Sequence, residues 1–171
     1  MPGVTTSTAS GSMVRTLSTA ELGAIVSERA RDAHPLVALG GDTHERNGIR
    51  VLQTPDYDVW LLRWPPGTRV TPHDHGDSSG AFTVLRGQLI ELRWRESIPE
   101  CQLVTSGETV LVERGVVHDV VATKRVSYSL HAYSPPLETM SFYEVPTPTT
   151  HASGRPDSWR VVSLEAEVAF P

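Results

Sequence analysis

The chain has 171 residues and a formal net charge of −5 at pH 7, a length that suits one domain with a substantial core. No basic stripe accompanies its 15 lysines and arginines, so nucleic acid is not an expected partner. Its apolar runs are too short to span a membrane, and its single cysteine excludes an internal disulfide. No signal-like segment precedes residue 20, so we expect a cytoplasmic protein.

The N-terminal part of the chain predicts a tail followed by helix. Residues 1–16 are rich in Ser, Thr and Gly and are expected to form a disordered tail, so that residues 17–171 make up one domain. Ser18 and Glu21 have the spacing of a capping box, and apolar residues at helical spacing follow until Pro35. We therefore predict an N-terminal helix that begins at Ser18, and a second short helix over residues 35–39.

Short β-rich runs, separated by turns rich in glycine and proline, fill the rest of the chain. The predicted strands cover residues 57–64, 81–85, 88–94, 109–112, 118–122, 126–133 and 140–145, with an edge strand at 160–164. Because only Arg86 and Gly87 separate two of these runs, they predict a β-hairpin. Many short strands with regular turns indicate an all-β barrel.

Three histidines lie in two segments punctuated by glycines. His73 and His75 end the first segment, Gly67-Thr-Arg-Val-Thr-Pro-His-Asp-His, and His118 ends the second, which begins at Gly107. Alternate residues of a strand share a face, so the imidazoles of His73 and His75 point the same way. A third imidazole on a facing strand would complete a site for iron, zinc, copper or nickel. His73, His75 and His118 are therefore the predicted metal ligands.

These two segments resemble the pair that marks the cupin family, with matches at Gly67, His73, His75, Gly87, Gly107, Gly115 and His118. The resemblance implies a cupin barrel, that is, a double-stranded β-helix. Many cupins use a glutamate as a fourth ligand, but its place here is taken by Ser79 or Gly80. A site of three neutral imidazoles favours a substrate that brings its own anionic donor, such as a thiolate.

A later run, Val126 to Pro136, resembles the Ser-x-His-x-Tyr strand of the cysteine dioxygenase family. Ser129, His131 and Tyr133 occupy its three positions, and strand geometry places them on one face. In that family the serine holds the imidazole, the imidazole holds the phenol, and the phenol reaches bound dioxygen or substrate. The alternative is a half-buried strand with a polar face.

The resemblance covers roughly residues 57–143 and implies an Fe(II) enzyme. Its substrates would be dioxygen and a small thiol, most simply L-cysteine, and its product the sulfinate. A dioxygenase for 3-mercaptopropionate or another thiol acid is one alternative, and a metal-binding cupin that acts as a sensor or binding module without turnover is another. We expect a monomer or a weak homo-oligomer that does not bind a membrane.

The family pattern also carries departures. Mammalian-type members cross-link the tyrosine to a cysteine, but Gly80 stands at that position and Cys101 lies elsewhere, so Tyr133 is expected to be a free phenol. The resemblance also implies a cis peptide at Ser134–Pro135, where an X–Pro bond tolerates it.

An arginine is expected to bind the substrate carboxylate, because its planar fork matches that group. In the family it lies in a Tyr-x-Arg pattern on an early strand. Arg50 is the nearest candidate, although Gly48 replaces the tyrosine, and Arg63 competes with it. Asp77 and Asp119 flank the ligands and are candidate hydrogen-bond acceptors for them. The remaining rings are interpreted as packing (Trp60, Trp64, Trp94) or surface residues (His34, His44, His151).

Overall fold

The computed structural model describes residues 14–32, 46–95, 98–144 and 160–165. Within them one helix precedes eleven strands: α1 (Thr19–Asp32), β1 (Asn47–Gln53), β2 (Asp58–Trp64), β3 (Arg69–Asp74), β4 (Ser79–Arg86), β5 (Gln88–Arg95), β6 (Ile98–Thr105), β7 (Thr109–Val112), β8 (His118–Ala122), β9 (Ser127–Ser134), β10 (Met140–Glu144) and β11 (Arg160–Glu165). Residues 1–13, the predicted helix at 35–39 and His34, His44 and His151 lie outside the described residues.

The strands form two antiparallel sheets, as an all-β barrel requires. The five-stranded sheet has the order β1-β2-β9-β4-β7, and the six-stranded sheet has the order β11-β10-β3-β8-β5-β6. The predicted edge strand near the C-terminus is present as β11. The Ser134–Pro135 peptide bond is cis, as predicted.

The predicted hairpin between β4 and β5 is wrong. β4 pairs with β7 and β9, whereas β5 pairs with β6 and β8, so the chain crosses from one sheet to the other at Gly87. Gly87 has a φ of 82°, and a Cβ there would lie 2.4 Å from the hydroxyl oxygen of Ser127. That hydroxyl accepts a hydrogen bond from the backbone N–H of Gln88 and so fixes the start of β5 in the second sheet.

Helix α1 closes the outer face of the five-stranded sheet. Ser18 and Glu21 make the reciprocal contacts of the predicted capping box. Leu22 and Val26 of the helix are fully buried and pack with Leu61 of β2. Each such side chain contributes about 1.5–3 kcal/mol by leaving water. No helix among the described residues is long and apolar enough to cross a membrane.

The barrel interior is a separate apolar cluster between the two sheets. Along β2, Trp60, Leu62 and Trp64 belong to this interior cluster, whereas Val59 and Leu61 belong to the cluster under α1. This strict alternation is the period-two pattern of a strand that is covered on both faces. The three predicted metal ligands lie inside the barrel, at one border of the interior cluster.

Candidate metal centre

The structure brings the three predicted histidines together. His73 lies on β3, opposite His118 on β8, and His75 follows the end of β3. All three are at most 4% exposed, and one ligating nitrogen from each lies within 4.8 Å of the others. Gly76, with a φ of 57°, donates its backbone N–H to Asp74, and this turn holds His75 beside β3.

The hydrogen bonds of the imidazoles leave their Nε2 atoms free to bind a metal. Nδ1 of His73 lies 2.9 Å from the carbonyl oxygen of Thr71, and Nδ1 of His118 lies 3.0 Å from Oε1 of Glu91. A neutral imidazole carries one hydrogen, and in both rings that hydrogen belongs on Nδ1, facing an acceptor. The Nε2 atoms therefore present lone pairs to the space between the rings.

The spacing between the Nε2 atoms of His75 and His118 fits a metal ion. Nε2 of His118 lies 3.3 Å from Nε2 of His75. Two nitrogens that are each about 2.1 Å from one ion lie roughly 3.0–3.4 Å apart for right-angled to tetrahedral geometry. Burial, followed by the neighbouring His118, lowers the pKa of His73 and of His75 well below the usual 6.5. Both rings are therefore neutral at pH 7, as ligation requires.

No carboxylate joins this cluster among the residues that the structure describes. At the cupin glutamate position, a Cβ on Gly80 would lie 3.1 Å from Cδ1 of Tyr133 and 3.5 Å from Nδ1 of His75. That space is thus taken by the tyrosine ring, which leaves little room for a longer side chain at position 80. The side of the cluster that a fourth protein ligand would occupy borders Tyr133 instead.

Ser129, His131 and Tyr133 form a buried series of hydrogen bonds on β9. Oγ of Ser129 lies 2.7 Å from Nε2 of His131, and Nδ1 of His131 lies 3.2 Å from the hydroxyl of Tyr133. Trp64, which the sequence suggested was packing only, extends the series by donating from Nε1 to Ser129 over 2.7 Å. All members of the triad are at most 5% exposed.

The triad borders the metal cluster directly. The Tyr133 ring meets the His75 ring edge to face, with centroids 4.8 Å apart, and His131 stacks on Phe82. Burial, followed by the Asp58 carboxylate, raises the pKa of Tyr133 far above its usual value. Burial also lowers the pKa of His131 well below 6.5, so both groups are uncharged near neutrality.

Residues 38–145 match the family model described as cysteine dioxygenase type I. The chain belongs to the cysteine dioxygenase type I family. The match covers most of the barrel, including all three clustered histidines and the triad, and it extends the resemblance found in the sequence towards the N-terminus.

Solved structures support the fold. A recombinant oxalate oxidase in complex with glycolate is 19% identical over 60% of this chain and 58% of its own, with a TM-score of 0.52. TT1209 from Thermus thermophilus is 20% identical over 59% of this chain and 94% of its own, with a TM-score of 0.52. KdgF from Halomonas sp. is 20% identical over 56% of this chain and 85% of its own, with a TM-score of 0.50. The chain spans little more than half the length of the oxalate oxidase, and these likenesses establish the cupin fold alone.

The two arginines that the sequence suggested for binding the substrate carboxylate in this member of the cysteine dioxygenase family, Arg50 and Arg63, lie in different places. Arg50 lies over the Trp60 ring, and its Nη1 is 3.8 Å from the buried carboxylate of Asp58. Arg63 lies two residues beyond Leu61, on the side of β2 that faces away from the barrel interior.

Arg46, which the sequence analysis did not consider, lies nearer to the triad. Its guanidinium is 5.3 Å from the centroid of the Trp64 ring. After burial and His118, the Arg46 charge is the third cause that lowers the pKa of His131. The sequence held one signal for Arg46. His44 stands two residues before it, where the Tyr-x-Arg pattern of the family has its tyrosine ring.

Glu91 is a second residue that sequence reasoning missed. Its carboxylate is fully buried on β5 and accepts from Nδ1 of His118. Asp119 instead binds Arg69, and Asp77 binds an exposed arginine, Arg114. An acidic residue inside the apolar run Leu-Ile-Glu-Leu is seldom fully buried without a partner, and that signal was present in the sequence.

Proposed function

We propose that this protein is an Fe(II)-dependent thiol dioxygenase that converts a small carboxylate-bearing thiol, L-cysteine first of all, to its sulfinate. The observation that carries the proposal is the placement of the Tyr133 ring against His75 of the three-histidine cluster. The reaction balances without a further reductant. Both atoms of dioxygen bond to sulfur, which gives up four electrons, and dioxygen takes up the same four.

His73, His75 and His118 would hold the ion through Nε2. A ferrous ion held there would bring thiolate and dioxygen side by side and conduct electrons between them. Because the three ligands are neutral and no carboxylate joins them among the described residues, the positive charge of the ion is left for an anionic substrate to balance. A thiolate supplies that charge, which is why a thiol suits this site.

Arg46 is the residue that we assign to the substrate carboxylate. Its planar guanidinium offers paired donors, and it lies over Trp64, the indole that begins the hydrogen-bond series to Tyr133. Arg50, the candidate that the sequence suggested, is the second choice, because its guanidinium lies over Trp60 and not over Trp64.

Tyr133 would act on the reacting groups by hydrogen bonding. Its raised pKa keeps the hydroxyl protonated, so it can donate to a reacting oxygen atom or to the thiolate without losing its proton. His131 and Ser129 hold the phenol in place. Donors that are oriented in advance in a dry site cost little reorganisation during reaction.

A thiol panel with iron-loaded protein tests this function. Oxygen uptake and sulfinate formation would be measured with L-cysteine, 3-mercaptopropionate and cysteamine, using His75→Ala as the iron-poor control. We expect L-cysteine to be oxidised fastest and cysteamine, which lacks a carboxylate, to be poor. If 3-mercaptopropionate is oxidised faster than L-cysteine, it replaces L-cysteine as the proposed substrate, and the proposed reaction stays the same. Bound iron with no thiol oxidation would contradict the proposal and favour a non-catalytic binding module.

A further inference from the structure

The buried carboxylate of Glu91 is hydrogen-bonded directly to one of the three clustered histidines. Its Oε1 lies 3.0 Å from Nδ1 of His118. Its Oε2 accepts from Nε of Arg93 over 3.1 Å and from the amide of Gln102. Glu91 is completely inaccessible to solvent, although a buried carboxylate is costly unless hydrogen bonds compensate for its desolvation.

The contacts of Glu91 favour its ionised form. Among the described residues, Arg93, Gln102 and His118 each donate a hydrogen bond to it. A protonated carboxyl would lose part of that set, so the geometry itself selects a carboxylate.

We propose that Glu91 is a positioning residue that draws the Nδ1 hydrogen of His118 towards itself and makes this imidazole a stronger, partly anionic ligand. The inference rests on the proposed iron site. Glu91 would supply the negative charge that Ser79 and Gly80 cannot provide, and it would act on the metal through the hydrogen bond to His118. A carboxylate that accepts from the far nitrogen of a ligating histidine fixes its tautomer and raises its basicity.

This charge would act more strongly on the ferric than on the ferrous form, because a nearby anion stabilises the higher positive charge more. Glu91 would thus lower the reduction potential of the bound iron and increase its affinity for the protein. An uncharged acceptor of the same shape would keep the orientation of His118 but lose this effect. Glu91→Gln makes that change, and Glu28→Gln removes one carboxylate charge from the exposed surface of α1 as the matched control.

The test measures iron affinity by chelator competition and the ferric/ferrous potential by anaerobic titration, with no thiol present. We expect Glu91→Gln to bind Fe(II) roughly 10- to 100-fold more weakly, and Glu28→Gln to match the parent protein. If the affinity for Fe(III) falls tenfold more than the affinity for Fe(II), the ferric/ferrous potential rises by about 59 mV. Parental affinity and potential in a folded Glu91→Gln protein would overturn the proposal.

A second measurement needs only the parent protein, and so stands if Glu91→Gln does not fold. In the zinc-loaded, nitrogen-15-labelled protein, we expect His118 to bind metal through Nε2 and to carry a strongly deshielded hydrogen on Nδ1. Ligation through Nδ1, or an Nδ1 hydrogen with an ordinary shift, would overturn the proposal. Neither readout involves a thiol or dioxygen, so absence of turnover would refute the proposed function while leaving this result interpretable.

Discussion

Nε1 of Trp64 lies 2.7 Å from Oγ of Ser129, in a fully buried contact. An indole nitrogen can only donate, so the hydroxyl of Ser129 accepts there and keeps its own hydrogen for Nε2 of His131. Nδ1 of His131 then donates to Tyr133, whose hydroxyl hydrogen remains available to the pocket. In this arrangement every nitrogen and oxygen of the series has a partner, and Trp64 sets its direction.

The first prediction concerns the end of this series. Tyr133→Phe should retain iron binding but lower the turnover of L-cysteine by roughly 10²-fold, the usual effect of removing one oriented donor. Steady-state oxygen uptake, together with iron content, measures both quantities. Tyr143→Phe is the matched control, because it also removes one phenolic hydroxyl, which donates to Asp74. If Tyr133→Phe oxidises L-cysteine at the parental rate, the triad is packing and the assigned role is wrong.

The second prediction concerns the start of the series. Trp64→Phe keeps an aromatic ring near Arg46 but removes the donor that directs Ser129 towards His131. A neutral hydrogen bond is worth about 1 kcal/mol, so kcat should fall roughly fivefold while KM changes little. Trp60→Phe is the comparison, because the Trp60 indole donates to Asp58. Equal losses of kcat in the two variants would show that Trp64 acts through general packing.

The third prediction separates the two arginines. Arg46→Gln should raise KM for L-cysteine by roughly 10- to 100-fold, because a hydrogen bond to a charged group contributes about 1.5–3 kcal/mol. Its effect on cysteamine should be small, since that thiol has no carboxylate. Arg50→Gln is the control and should leave both values near those of the parent. The reverse result would restore Arg50 as the carboxylate-binding residue.

Much of the site follows from local sequence. The spacing of His73 and His75 and the alternation of Ser129, His131 and Tyr133 depend only on the period of a strand. The structure accordingly places each set on one face. The capping box at Ser18 is equally local. Roles assigned to these residues remain predictions, but their positions follow from the sequence.

What could not be predicted depends on which strands are neighbours. A two-residue turn at Gly87 has the same local pattern whether the chain pairs with itself or crosses to the other sheet, and contacts with Ser127 decide between them. Strand β6 was missed, so Gln102 could not be placed beside Glu91. Arg46 is likewise selected from the other arginines by its position over Trp64.

The fourth prediction concerns pH and the metal-free protein. Burial holds the pKa of His73, His75 and His131 well below 6.5 in the folded state, whereas the unfolded chain takes up protons below about pH 6.5. The unfolded state therefore binds more protons, and the free energy of unfolding falls as the pH drops below 6.5, by up to about 1.4 kcal/mol per pH unit for each histidine.

Urea titrations of the metal-free protein at about pH 7.5 and about pH 5.5 measure this fall in the free energy of unfolding, in a range above the pKa values of ordinary exposed carboxyl groups. The urea concentration at the midpoint of unfolding should be lower at the acidic pH. His75→Gln removes one titrating ring and should reduce the difference. Midpoints that do not change with pH would show that these rings are not held neutral by the fold.

The origin of the oxygen atoms in the product tests the central claim most directly. Iron-loaded protein would be given L-cysteine under isotopically heavy dioxygen in ordinary water, and the sulfinate would be analysed by mass spectrometry. The account predicts that both sulfinate oxygens are heavy in nearly all of the product, and that one dioxygen is consumed per sulfinate formed. A product with one heavy oxygen, or dioxygen consumed with only disulfide formed, would contradict it.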